Sequence, residues 1–365
     1  MKLAIVRQKY TPFGGAERFV ERALAALRAN NVDVSIIARE WQGEGVDNPH
    51  GVRVNPFYLG RTWRDAGFAR AVQGLIAQHG FDLVQSHERI PGCDIYRAGD
   101  GVHATWLELR NKPLDVLSSW HRYTLAAEAE MFRHPKLRAV ICNSRMVKDD
   151  IARRFGVADE KLQVIYSGVD LDAFHPRLRE TQGRSLREKT GVDAATPVIL
   201  FVGSGYQRKG LPTLLHALSR MSRDDARLWV IGRDKHEMLM RKLAQTLGVD
   251  DRVLFLGAQT DVKPFYGAAD VFALPTLYDP FPNAALEALA CGLPIVTTTT
   301  CGAAELVTAA NGLVITAGDA AALATSLDAL CDRAPVMRDA ARASVAHLDL
   351  TQMAAQLMGL YSRLV

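Results

Sequence analysis

The sequence predicts an α/β protein of two doubly wound, parallel-sheet domains facing a cleft. Three observations carry that expectation. The chain has 365 residues, room for two domains at ~150 residues each. Short β-branched runs alternate with longer helical patterns along its length, which implies parallel strands joined by helices. The rhythm breaks once, over the polar and poorly periodic residues 167–196, and then restarts.

The first series opens with a strand over residues 2–6, a glycine-containing loop, and an amphipathic helix from about 16 to 29. Further buried strands are expected over 33–38, 82–86, 139–142 and 161–166. Asn143-Ser144 reads as a helix cap before residues 145–155. The second series places strands at 197–203, 227–231, 253–256, 270–274, 294–298 and 313–315. The stripes at 238–242 and 323–330 are amphipathic helices, and residues 319–365 are helical with no further strand. The domains run 1–170 and 171–346, with a last helix, about 347–365, packing back on the first. In such Rossmann-like sheets ligands bind at the carboxyl ends of the strands.

Composition narrows the class. Hydrophobic residues make up 48% and charged residues 23%, which excludes disordered, fibrous and collagen-like chains. No apolar run approaches the ~20 residues of a membrane span, and the opening apolar run stops at Arg7, too short for a signal-peptide core. Cys93, Cys142, Cys291, Cys301 and Cys331 form no Cys-x-x-Cys pair. The expectation is therefore no metal site, no disulfide framework, and a soluble protein of the reducing cytoplasm. The formal net charge of +4 lies wholly in residues 1–170, and residues 103–154 hold ten basic against six acidic side chains. With no nucleic-acid module in view, an anionic substrate or an anionic membrane surface suits that excess better than nucleic acid.

Three motifs follow strands and open helices. Thr11-Pro12-Phe13-Gly14-Gly15-Ala16 offers glycines for close backbone approach and a helix N-terminus for an anion; a bare turn reads equally well. Gly203-Ser204-Gly205-Tyr206-Gln207-Arg208-Lys209-Gly210 sets two permanent cations where a diphosphate could sit. It is not a Walker loop, and a solvated basic turn is the plainer alternative. Asp279 and Glu287, eight residues apart, straddle a loop-to-helix junction with the backbone N–H groups of Asn283 and Ala284 between them. A glutamate there can accept both hydroxyl protons of a ribose diol.

These residues, with Ala290-Cys291-Gly292-Leu293-Pro294 and Ser167-Gly168-Val169-Asp170 in the link, resemble the retaining group-1 glycosyltransferases (glycosyltransferase family 4) of the GT-B fold. The resemblance covers essentially the whole chain and is nearest to the lipopolysaccharide-core glucosyltransferases. It implies an N-terminal acceptor-binding domain and a C-terminal nucleotide-sugar-binding domain. Gly14 and Gly15 match the loop over the donor diphosphate, and Gly203, Arg208 and Lys209 match the diphosphate site, so that no divalent metal or other cofactor is expected. Glu287 matches the ribose glutamate, and Asp279 the carboxylate on donor-sugar hydroxyls, with Asn283 and Ala284 as backbone donors. Ala258 and Gln259, after Gly257, match the base-binding loop. Asp100 matches an acid at the reacting face, with His103 three residues on as its rival; a surface histidine is the plainer reading of His103. Three departures stand out: Asp279 replaces the usual Glu, Pro282 replaces a frequent Gly and has no N–H, and Phe19 sits where an acid is common.

The implied reaction moves a hexose, foremost glucose from UDP-glucose, onto a heptose of the lipopolysaccharide inner core at the cytoplasmic face of the inner membrane. UDP-galactose, UDP-N-acetylglucosamine or GDP-mannose on another cell-surface glycan is the alternative. Residues 104–133 interleave Trp106, Leu109, Leu114, Leu117, Trp120 and Tyr123 with Arg110, Lys112 and Arg122. That mixture suits a helix lying on anionic lipid and equally a helix covering the domain core. A nucleotide-sugar-binding protein without catalysis, or a dinucleotide oxidoreductase, would share the fold. The four residues Asp100, Arg208, Lys209 and Glu287 weigh against the first, and the missing Gly-x-Gly-x-x-Gly against the second.

Overall fold

Runs of Val, Ile and Leu too short for a helix become strands, and each is followed by a segment with one apolar face that packs back on the sheet. The computed structural model describes residues 1–10, 32–41 and 51–365. The loop with Gly14 and Gly15, Phe19, and the helix expected over 16–29 lie outside the described residues. The chain divides into two units, Met1–Gly168 with Leu350–Val365, and Val169–Asp349.

The first unit holds a seven-stranded sheet: β1 (Lys2–Tyr10), β2 (Asp33–Trp41), β3 (Gly51–Arg53), β4 (Leu83–Ser86), β5 (Ile95–Ala98), β6 (Ala139–Cys142) and β7 (Leu162–Val164). Their order is β3-β2-β1-β4-β5-β6-β7, and every described pair is parallel. Helices α1 (Gly60–Gln78), α2 (His103–Arg110), α3 (Ser119–Arg133) and α4 (Arg145–Phe155) connect them. Ser144 caps α4 by accepting a hydrogen bond from the Val147 N–H, and Gly156 ends it in the left-handed conformation.

The second unit holds β8 (Val198–Val202), β9 (Arg227–Ile231), β10 (Val253–Gly257), β11 (Val271–Leu274), β12 (Ile295–Thr298) and β13 (Gly312–Ile315), in the order β10-β9-β8-β11-β12-β13. Its helices include α5 (Leu211–Leu218), α6 (Glu237–Thr246), α7 (Asn283–Ala290) and α8 (Ala320–Ala343). In each sheet the strand order reverses beside the first strand, between β1 and β4 and between β8 and β11. In the second sheet the loops leaving β8 and β11 therefore diverge at the carboxyl edge, where such sheets bind ligands.

Two strands and the linker depart from the sequence expectation. Strands β3 and β5 were not anticipated: the first has three residues, and in the second the charged Arg97 interrupts the apolar pattern although it is buried. Residues 167–196 are not featureless, because Arg179–Gly183 and Arg184–Thr190 are helical. Arg187 pins them by donating to the carbonyls of Ala268 and Thr196 and pairing with Asp270. The last helix, α9 (Leu350–Leu364), belongs to the first unit, where Met353, Leu357, Leu360 and Tyr361 join Leu3, Ile5, Val34 and Ile141 in one core. The Tyr361 hydroxyl also donates to Gln85 Oε1 at 2.7 Å.

That packing makes α9 a structural part of the first sheet. Leu357 is 1% exposed, so Leu357→Ala should cost about 2–5 kcal/mol, the range for a cavity left by a truncated core leucine. Urea unfolding followed by tryptophan fluorescence checks this; a loss under about 1 kcal/mol would mean that α9 packs loosely.

Candidate active site

The carboxyl edge of the second sheet gathers most of the residues singled out from the sequence. β8 ends at Gly203, whose φ is +149° and whose N–H donates to the Ile231 carbonyl. A Cβ there would lie 2.5 Å from Lys209 Cδ, so a larger residue would displace the lysine side chain. Gly210, at φ +80°, closes the turn against Pro275, where a Cβ would overlap the carbonyl oxygen. Between them, Asp234 braces the loop by accepting from the Gly205 and Tyr206 N–H groups at 2.8 and 3.2 Å.

The turn delivers Arg208 and Lys209 to Asp279. Lys209 Nζ is 3.1 Å and Arg208 Nη1 3.3 Å from the same carboxylate oxygen, Oδ2. Arg208 Nη1 also donates to the Tyr278 carbonyl at 2.8 Å. Asp279 is 7% exposed; burial alone would raise its pKa, but Lys209 and Arg208 overcome that and hold it below the usual aspartate value. The backbone is fixed as well, since the Asp279 carbonyl accepts from Gly302 N–H and its own N–H donates to Thr300.

Helix α7 starts four residues beyond Asp279. Pro282 is its cap residue and supplies no side-chain acceptor, so the first-turn N–H groups of Asn283 and Ala284 stand at the positive end of the helix dipole. Glu287, one turn further, is 3% exposed and accepts from the Tyr266 hydroxyl at 3.0 Å. Ala258 and Gln259 follow β10 and are exposed. Gly232 at the end of β9 donates its N–H to the Gly257 carbonyl, joining that loop to the same edge.

The first unit separates the two polar candidates after β5. Asp100 is exposed in the turn that follows the strand. His103 is not a surface residue, which corrects the plainer reading of it. It is 7% exposed, its N–H donates to Glu128, and its Nε2 lies 3.0 Å from Nδ1 of His121. Burial, Arg89 and His121 push the His103 pKa down to about 4, so its ring is neutral at pH 7 and engaged with a neighbour. The structure thus presents Asp100, rather than His103, to solvent.

Residues 104–133 are three pieces rather than one interfacial helix. Trp120 is partly buried, its Nε1 donating to Asp65 at 2.7 Å, and Tyr123 is partly buried too. What remains outside is the 3-10 turn Pro113–Leu117, with Leu114, Val116 and Leu117 each more than 70% exposed. Phe57 and Leu59, similarly exposed, precede α1, and Thr62 of α1 meets Ser119 of α3 at 3.2 Å. Among the described residues no helix is long and apolar enough to cross a membrane, and no group of His, Cys, Asp and Glu could hold a metal ion.

Sequence reasoning missed two contributors. Asp234, in Gly232-Arg233-Asp234 at the end of β9, could have been found from its place at a strand's carboxyl end. Tyr266 carries no local signal, because only the fold brings it to Glu287.

Both parts of the chain resemble known proteins. The profile described as Glycosyltransferase Family 4 matches residues 13–173, and the one described as Glycosyl transferases group 1 matches residues 196–333. The lipopolysaccharide glucosyltransferase WaaG of Escherichia coli is 28% identical over 319 residues, covering 86% of this chain and 85% of that protein. An uncharacterised glycosyltransferase of Methanocaldococcus jannaschii is 31% identical over 328 residues, covering 84% and 83%. Among solved structures, the crystal structure of WaaG superposes with a TM-score of 0.86 at 26% identity, over 98% of this chain and 99% of that one.

The buried histidine pair has a consequence for acid stability. An unfolded imidazole titrates near 6.5 and His103 in the fold near 4, so between those values the unfolded chain binds a proton that the folded chain refuses. The stability it confers is complete above pH 6.5 and lost as the pH falls toward 4. His103→Gln should flatten that part of the melting-temperature profile, whatever it does to the melting temperature at pH 7.5; an unchanged slope would show that His103 is not held neutral.

Proposed function

The chain belongs to the group-1 glycosyltransferases and has their GT-B fold, and on that premise we propose that it is a retaining, metal-independent hexosyltransferase. Its foremost reaction on this reading moves glucose from UDP-glucose to a heptose of the lipopolysaccharide inner core. The observation that carries it is the Arg208–Lys209–Asp279 triad set beside Glu287 and the N-terminus of α7, because those groups suit the parts of a nucleotide-sugar donor. The likeness to WaaG over most of both chains supports the choice of sugar and acceptor.

Cleaving the sugar–phosphate bond leaves positive charge on the anomeric carbon and negative charge on the departing diphosphate. Arg208 and Lys209 are already in place to meet the second, and preset charges of this kind are usually the largest catalytic contribution. Arginine and lysine supply the neutralisation that a divalent ion supplies elsewhere. Retention without an enzymatic nucleophile calls for attack from the leaving-group face. The acceptor oxygen bonds to the anomeric carbon as the carbon–phosphate-oxygen bond breaks, and the acceptor's proton passes to that phosphate oxygen. Asp100 would orient the acceptor hydroxyl, and Asp279 the donor-sugar hydroxyls. Ala258 and Gln259 would contact the base, Asn283 and Ala284 would donate backbone N–H groups, and Glu287 would hold the ribose.

A lipid-linked acceptor would bring the enzyme to an anionic membrane surface at the cytoplasmic face. The exposed Leu114, Val116 and Leu117, with Arg110 and Lys112 nearby in sequence, suit that role.

Two measurements test the reading. A thermal-shift panel of UDP, GDP, ADP and NAD without metal should show stabilisation by UDP alone, with slow hydrolysis of UDP-glucose. Stabilisation by GDP would point instead to a mannosyl donor, and by NAD alone would overturn the donor assignment. Asp100→Ala should lower kcat by roughly 10²-fold or more and leave the donor KM within about threefold; unaffected turnover would remove Asp100 from the mechanism.

A further inference from the structure

Tyr266 lies in the short helix Lys263–Ala268, is 1% exposed, and has no counterpart among the sugar, phosphate or base groups assigned above. Its hydroxyl is 3.0 Å from Glu287 Oε2 and 3.3 Å from the Ala284 carbonyl. A phenol has one proton to give, and the charged carboxylate is both the nearer and the stronger acceptor. The ring cannot swing away. Phe174 packs edge-on against it with centroids 5.7 Å apart, Phe272 lies on another side at 6.3 Å, and a Cβ on the adjacent Gly267 would meet the Leu178 carbonyl at 2.5 Å.

We infer that Tyr266 is a positioning residue for Glu287, and that its phenol sets the enzyme's demand for a ribose with both hydroxyls. The inference rests on the reading that Glu287 receives the ribose. A glutamate has three side-chain torsions, and a diol meets a carboxylate well only when the carboxylate plane is fixed. Tyr266 fixes it by anchoring one oxygen from a rigid, buried ring. With the phenol absent, the carboxylate keeps its place on α7 but loses its orientation, so that ribose hydroxyls add less to binding.

The test compares, by calorimetry, the nucleoside diphosphate that binds the wild-type chain (UDP on the reading above) with its 2′,3′-dideoxy form. Wild type should bind the dideoxy form at least about tenfold more weakly, the size of one hydrogen bond to a charged group. In Tyr266→Phe that ratio should shrink to about threefold or less, and Glu287→Gln should collapse it as well. The double variant should collapse it no further. The ratio is taken within one variant, so a loss of stability that weakens both ligands leaves it unchanged. A wild-type ratio retained in Y266F but lost in E287Q would overturn the positioning role and leave the ribose site standing. A ratio retained in E287Q, or absent from wild type, would overturn the ribose assignment and the inference with it.

Discussion

Arg208 and Lys209 both approach Oδ2 of Asp279, and the rest of the second unit's carboxyl edge is arranged so that they can. Two like charges this close repel unless a carboxylate lies between them, and a buried carboxylate is costly unless cations face it. Each member of the triad thus makes the others tolerable. The backbone pays for the geometry at Gly203 and Gly210, where a Cβ would strike Lys209 and the Pro275 carbonyl. Asp234 completes the arrangement by holding the Gly205 and Tyr206 amides. That leaves the turn rigid before any ligand arrives, as preset electrostatics require.

The first unit solves a different problem with a similar device. Glu128, 1% exposed, receives the N–H groups at the start of α2 from His103 and Ala104 and pairs with Arg89. One carboxylate thereby satisfies helix-terminal donors that have no partner inside the helix and a partly buried guanidinium. His103 is drawn into the interior as a result, and its ring pairs with His121. The turn before it, carrying Asp100, stays outside. The division of two neighbouring polar residues into one structural and one exposed follows from where Glu128 stands.

Most strands and the capped α4 were legible because their signals are local. β6 and β9 fall on residues 139–142 and 227–231, the spans expected from the sequence. Periodicity and caps act over a few residues and survive tertiary packing. β5 was not legible, since Arg97 breaks its apolar run and its burial depends on neighbouring strands. Residues 104–133 read in the sequence as one helix, on lipid or over the core, and their division by the turn at Pro113 was not legible. Trp120 was sent inward by Asp65, 55 positions away. In the site, the triad's members were legible through their spacing in short motifs that follow strands. The Tyr266–Glu287 bond was not, because the residues are 21 positions apart and belong to different helices. What a sequence hides here is mainly which polar groups satisfy one another.

The triad also bears on how tightly a diphosphate can be held. Arg208 and Lys209 are not bare cations: with Asp279 the cluster carries a net charge of one positive unit, and an incoming diphosphate must compete for donors that Asp279 already engages. On the proposed reading, part of the attraction would therefore be exchanged rather than gained, and diphosphate contacts alone would give modest affinity. Aspartate, one methylene shorter than glutamate, keeps its carboxylate at the backbone of residues 278–279, where Arg208 also binds the Tyr278 carbonyl. That draws the acid toward the cations. On the proposed reading, discrimination between donors would then fall to groups outside the triad: the Glu287 carboxylate toward the ribose and the exposed loop of Ala258 and Gln259 toward the base.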